Sequence, residues 1–165
     1  MIRALKGAGL VGAALLMAQS AHAQQAPDLV AANNPDSVAA AMRYAGYPVT
    51  VTTDKTGDPK IETEFSGYRG DVYFYGCDEK SHKNCTSLQL LVGFNGKKAM
   101  NLAKLNKLMG TLRFASSYVD DEGDVWVQYD FATLSGLPAP VFLKTLDFFS
   151  SVSNEIADAV FEGED

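Results

Sequence analysis

"DVYFYGCDEKSHKNCTSLQLLVGF", residues 71–94, carries the only two cysteines of the chain, Cys77 and Cys85, at the inner ends of two β-like arms. Such a pair can hold a metal, run redox chemistry or staple a hairpin. A metal site wants further Cys or His at ligand spacing, and beyond His22 near the start the chain has only His82. Redox pairs usually sit as Cys-x-x-Cys at a helix start, whereas seven residues intervene here. The pair therefore reads as a disulfide across a hairpin, as expected in an oxidising compartment. Closing a nine-residue ring stabilises the fold by about 2.5 kcal/mol on chain-entropy grounds.

The staple also sets a register. With Cys77 facing Cys85, Phe74 opposes Leu88 and Val72 opposes Leu90 on one face. Tyr75 then opposes Ser87, and Tyr73 opposes Gln89, on the other. One face is apolar and one mixed, the pattern of an antiparallel sheet covered on a single side. A slip of one residue would turn Phe74 and Leu88 outward, so pattern and staple agree.

The start, "MIRALKGAGLVGAALLMAQSAHAQQ", has a basic n-region (Arg3, Lys6), an apolar run from Ala8 to Ala18, and "AHA" at 21–23. This is the layout of an export signal cleaved after Ala23. The run of eleven residues falls short of the roughly 20 a membrane-spanning helix needs. No cysteine follows it, which argues against lipoprotein processing. Residues 1–23 are thus expected to be a signal peptide, 24–34 a flexible lead, and 35–162 a single domain. The formal net charge is −6, and removing Arg3 and Lys6 leaves 12 basic against 20 acidic residues, or −8. Such a surface repels phosphate backbones, so nucleic acid is not expected as a partner. No second long apolar stretch predicts a membrane span after cleavage.

Outward from the hairpin, the elements follow from period and punctuation. Asn34 as N-cap and Pro35 begin a helix whose face is Val38, Ala41, Met42 and Ala45, ended by Gly46. Strands are expected at 49–53 and 60–65 around "DKTGDP". "GKKAMNLAKLNKLMG", 96–110, is amphipathic with Ala99, Leu102, Leu105 and Met109 as its stripe. "RFASSYVDDEGDVWVQYDF", 113–131, is a second hairpin turning at Asp121 to Gly123. The last helix starts near Pro138 and Pro140, buries Val141, Phe148, Phe149, Val152, Ile156 and Val160, and ends before Gly163. The order is α-β-β-β-β-α-β-β-α, an α+β fold with an antiparallel sheet of about six strands and helices mainly on one face.

Candidate chemistry is sparse. Serine-type catalysis needs a base, and His82 sits at a lysine-flanked tip where it reads as a solvated loop residue. The acidic turn Asp120, Asp121, Glu122 and Asp124 lacks EF-hand spacing, since that loop wants glycine at position 6 and Gly123 stands at position 4. A hairpin turn with Gly123 at positive φ explains the same residues. "GFNGKK" lacks P-loop spacing, and neither a metal nor a cofactor is expected. Lys97, Lys98, Lys104, Lys107 and Arg113 gather five of the 12 basic residues left after cleavage. They read as a solvated helix face or as a dock for an acidic partner or anionic headgroups. Tyr73, Tyr75, Tyr118 and Trp126 all point away from the core face. They either stabilise the sheet through cross-strand contacts or form an exposed aromatic platform for a partner.

Gly46-Tyr47, "FYGC" at 74–77 with the second cysteine ahead of "SLQ" at 87–89, Asn106, Arg113-Phe114 and "YVDDEGDV" at 118–125 occur in the order that resembles the YbjN family of bacterial sensory-transduction regulators. The resemblance spans roughly 35–160. It departs at Leu108 and Met109, where the family pattern has an aromatic and a second asparagine. It implies a fold like that of type III secretion chaperones and a regulatory role, with no established catalytic residues to carry over. The expectation is a periplasmic, non-enzymatic binding or chaperone-like module whose partner is a protein, a peptide or a second copy of itself. The rival readings are an envelope enzyme using carboxylates and a structural homodimer built through the open sheet face.

Overall fold

The computed structural model describes residues 26–96 and 98–162. The elements are β1 (Leu29–Val30), α1 (Pro35–Tyr44), β2 (Thr50–Thr53), β3 (Pro59–Phe65), β4 (Tyr68–Tyr75) and β5 (Ser87–Phe94). They continue with α2 (Leu102–Met109), β6 (Ser116–Val119), β7 (Val125–Ala132), β8 (Leu137–Pro138) and α3 (Ala139–Val160). Six strands form one antiparallel sheet in the order β2-β3-β4-β5-β7-β6, while β1 pairs with β8 apart from it. The expected signal peptide and Gly163 lie outside the described residues. None of the described helices is long and apolar enough to cross a membrane.

The hairpin has the register argued from the cysteines: Phe74 opposes Leu88, Val72 opposes Leu90, Tyr73 opposes Gln89 and Tyr75 opposes Ser87. Cys77 and Cys85 are bonded, with their Cα atoms 3.8 Å apart. On the covered face Ile61, Phe65, Val72, Phe74, Leu88, Leu90, Val92, Val125 and Val127 are buried. Helix α3 packs on this face, and Phe149 meets Phe65 edge-on at 4.8 Å. Each fully buried side chain of this size contributes about 1.5–3 kcal/mol.

Four details differ from the sequence expectation. The described part of the expected flexible lead, residues 26–34, carries structure, because Leu29–Val30 pairs with Leu137–Pro138 and Val30 and Ala32 are buried. Helix α1 ends at Tyr44, so Ala45 is its exposed C-cap rather than part of its buried face, and Gly46 turns the chain at φ +86°. In α2 only Leu105 is fully buried. Ala99 precedes the helix, which starts at Leu102 with Asn101 as its N-cap, the Asn101 side chain accepting Lys104 N–H. Leu102 is exposed, and Leu108 and Met109 pack against the core.

The stripe of α3 is Phe142, Leu146, Phe149, Val152, Ile156 and Val160, with Val141 and Phe148 exposed. Its phase is pinned at the start, where Ala139 N–H donates to the Asp28 carbonyl and β8 is held by β1. Phe148 instead stacks on Phe114 at 4.5 Å with nearly parallel rings.

Candidate functional site: the open face of the sheet

Strand alternation sends every second side chain to the face that no helix covers. Across it, Lys60, Tyr73, Gln89 and Asp130 stand in one cross-strand row. The adjacent row is Glu62, Asp71, Leu91, Gln128 and Ser116. Tyr73, Tyr75, Tyr118, Gln89, Leu91, Gln128 and Lys60, with the turn after β2, line a groove of about 980 Å³. Its floor mixes aromatic rings with side-chain amides, and its rim is charged.

The groups are fixed by one another. The Lys60 ammonium bonds Glu62 and Asp71 at 3.1 and 3.2 Å and lies 5.8 Å from the centre of the Tyr73 ring. Gln89 accepts the Tyr75 hydroxyl at 3.4 Å and donates to Asp130 at 2.9 Å. Tyr73 and Tyr75 stack with centroids 6.3 Å apart. Burial, with the negative charge of Asp71, raises the Tyr73 phenol above its ordinary value. Burial, with Asp130 and Asp54, does the same for Tyr75. Both stay neutral at physiological pH and keep a hydroxyl proton to donate.

Trp126 does not join this groove. Its ring rests on Gly93, where a Cβ atom would come within 2.8 Å of it, and its indole N–H donates to Asp120 Oδ2 at 2.7 Å. It lines a second depression of about 230 Å³ with Arg69, Asp71, Leu91 and Asp124. The four aromatic residues expected as one platform therefore divide into three tyrosines and a separate tryptophan. Gln89, Leu91 and Gln128 belong to the groove and were missed as site residues. The register and the alternation were signal enough to find them.

The acidic turn uses its oxygens internally. Asp120 Oδ1 accepts the backbone N–H of Glu122 and Asp124, and Asp124 Oδ1 accepts Asn95 Nδ2. The carboxylates of Asp120, Glu122 and Asp124 lie within 4.8 Å of one another, yet a turn that caps its own backbone accounts for them. The turn after β2, "DKTGD" at 54–58, repeats the device. Asp54 Oδ1 accepts Thr56 N–H, Gly57 N–H and Asp58 N–H at 2.9–3.0 Å, and Gly57 and Gly123 have φ of +98° and +89°.

His82 is not the solvated loop residue expected. Its Nδ1 lies 2.8 Å from Asp58 Oδ1 and its ring packs on Gly57, tying the cysteine loop to the β2–β3 turn. Of the candidate basic patch, Lys104 is committed to Glu162 and to the Ala159 carbonyl at the end of α3. The Arg113 guanidinium lies over Phe114 at 5.3 Å, Lys98 and Lys107 are exposed, and Lys97 lies outside the described residues.

One family model, described as "YbjN: Putative bacterial sensory transduction regulator", matches residues 34–162. No curated protein matches the chain.

Proposed function

Because this chain belongs to the YbjN family of sensory transduction regulators, we propose that it is an exported, non-enzymatic regulatory module that binds an extended peptide segment of a partner protein on its open sheet face, in the manner of a chaperone. The carrying observation is the groove of about 980 Å³ in which Tyr73, Tyr75 and Tyr118 stand beside Gln89 and Gln128. Tyrosines give large rigid contact area at small entropic cost, and amides supply the donors and acceptors that a peptide backbone needs.

Hydrogen bonds or Lys104 hold the carboxyls of Asp78, Asp120 and Glu162 below their ordinary values, and for Asp54 hydrogen bonds outweigh the upward push of burial, so none of these four is poised as a general acid at neutral pH. Export to the periplasm, with residues 1–23 as the signal, is supported by the Cys77–Cys85 bond, since oxidising compartments keep such bonds.

Selection of random displayed peptides on the oxidised, immobilised protein tests this reading. Selected peptides should lose about tenfold or more in affinity against Tyr75→Ala and Tyr118→Ala, and nothing against Tyr44→Ala on the far side of the molecule. Selection of no peptide, or of peptides indifferent to both groove variants, would refute it.

A further inference from the structure

Strand β6, Ser116–Val119, ends the sheet. Its sequence, "SSYV", has no charge and no proline, and it pairs with β7 without a bulge. Charge, proline and bulges are devices by which edge strands avoid pairing with other chains, and of the usual set β6 has only its short length of four residues. The phase of the ladder is given by Asp120 N–H, which donates to the Asp124 carbonyl at 3.0 Å. Pairs that exchange bonds alternate with pairs that do not, so Tyr118 bonds Trp126, while Ser117 and Val119 turn their N–H and C=O groups to the outer border. Among the described residues these border groups meet no partner.

Two further features lie along that border. A groove of about 460 Å³ runs between α2 and β6, lined by Leu102, Leu105, Met109, Ala115 and Val119. Leu102 is 65% exposed there. The charge order is also directional. Exposed Lys107 and Arg113 precede the strand, and exposed Asp121 and Glu122 follow it. A strand laid antiparallel against this border meets basic charge at one end and acidic charge at the other. The chain itself carries the matching order when turned about a two-fold axis.

We infer that the β6 border is a homodimer interface, in which Ser117 and Val119 of two copies exchange backbone hydrogen bonds across a two-fold axis at Tyr118. This register brings Arg113 of each copy beside the Asp121–Glu122 turn of the other. It leaves the two Tyr118 rings side by side on the open face and Leu102 of each α2 facing the second α2. The opposite border, β2, does not offer this match. Pro48 precedes it, Arg43 donates to the Val49 carbonyl, and Asp54 is followed by Lys55. An isologous contact of this kind closes on itself and gives a dimer rather than a fibre.

Sedimentation of the oxidised protein at micromolar concentration, without any peptide, tests this independently of the proposed binding role. Twice the chain mass is expected. Ser117→Pro removes a border N–H and the bond from Ser117 Oγ to the Trp126 carbonyl but no backbone bond to β7, and should give a monomer with an unchanged circular dichroism spectrum. Arg113→Glu, and Asp121→Lys with Glu122→Lys, should each weaken the dimer about tenfold or more, and combining all three should restore it. A monomeric wild-type chain overturns the inference. So does a dimer that survives the charge changes, or one that only Tyr73→Arg disperses. If Ser117→Pro fails to fold, the charge exchange decides alone.

Discussion

Phe74 and Tyr75 are neighbours on one strand, yet Phe74 is 0% exposed and Tyr75 is 43% exposed. The covered and open faces of this sheet share their backbone and differ in everything else. On the covered face a side chain is held from all directions by Phe65, Leu88, Phe149 and their neighbours, so its identity is dictated by packing. On the open face the same strands carry tyrosines, amides and ion pairs that bond one another and face away from the core. If stability belongs mainly to the covered face, the two faces should answer differently to substitution.

The most forceful way to break that comparison is substitution at the two neighbours. Phe74→Ala leaves a cavity beside Leu88 and should cost about 3–5 kcal/mol. Tyr75→Ala should cost less than about 1 kcal/mol, as substitutions outside the core usually do. Urea unfolding measures both. Equal losses would mean that the open face is structural after all.

The disulfide lies where the two faces end, and its removal should have the next largest effect. Cys77→Ser with Cys85→Ser, or reduction of the native pair, opens the nine-residue ring and should lower stability by about 2.5 kcal/mol. The register should survive, because Phe74 against Leu88 and Val72 against Leu90 specify it independently. Hydrogen exchange separates the two effects. The amides of Tyr73 and Gln89, which bond each other across this strand pair, should remain protected while those of His82 and Thr86, near the ring, exchange faster. Loss of protection at Gln89 would show that the staple, not the pattern, sets the pairing.

The covered face was legible in the sequence because two independent signals, period-two alternation and the cysteine pair, gave the same register. What was not legible had no local signal. Strands β1 and β8 are two residues each, too short to show a period, and Leu29 finds Pro138 across more than a hundred residues. The phase of α3 was misread because Val141 and Phe148 are as apolar as the residues it buries. Only the anchoring of Ala139 by Asp28 shows which stripe turns inward. On the open face, alternation correctly sent Tyr73, Tyr75, Tyr118 and Trp126 outward. It gave no hint that a glycine opposite Trp126 lets the ring lie down, or that Asp120 holds its indole.

That last contact allows the smallest effect to be read cleanly, because the chain has a single tryptophan. Asp54 and Asp120 cap equivalent turns at opposite corners of the sheet, but only Asp120 also holds an open-face ring. The indole N–H of Trp126, with the backbone N–H groups of the turn, holds the Asp120 carboxyl below its ordinary value. For Asp54, burial pushes the carboxyl up, and the hydrogen bonds from Thr56, Asp58 and Gly57 outweigh it. A carboxyl lowered in the folded chain stabilises it at pH above the unfolded value, and that contribution is lost as pH falls through the folded one. Both corners should therefore weaken in acid, but only at the Asp120 corner does the loss release the ring. Trp126 fluorescence should change in the wild-type chain as pH falls below the ordinary carboxyl value of about 4. It should change likewise in Asp54→Asn, and should show no such step in Asp120→Asn, whose side chain does not titrate. A step that persists in Asp120→Asn would mean that the tryptophan reports unfolding of the whole sheet, and that the open face is not independent of the covered one.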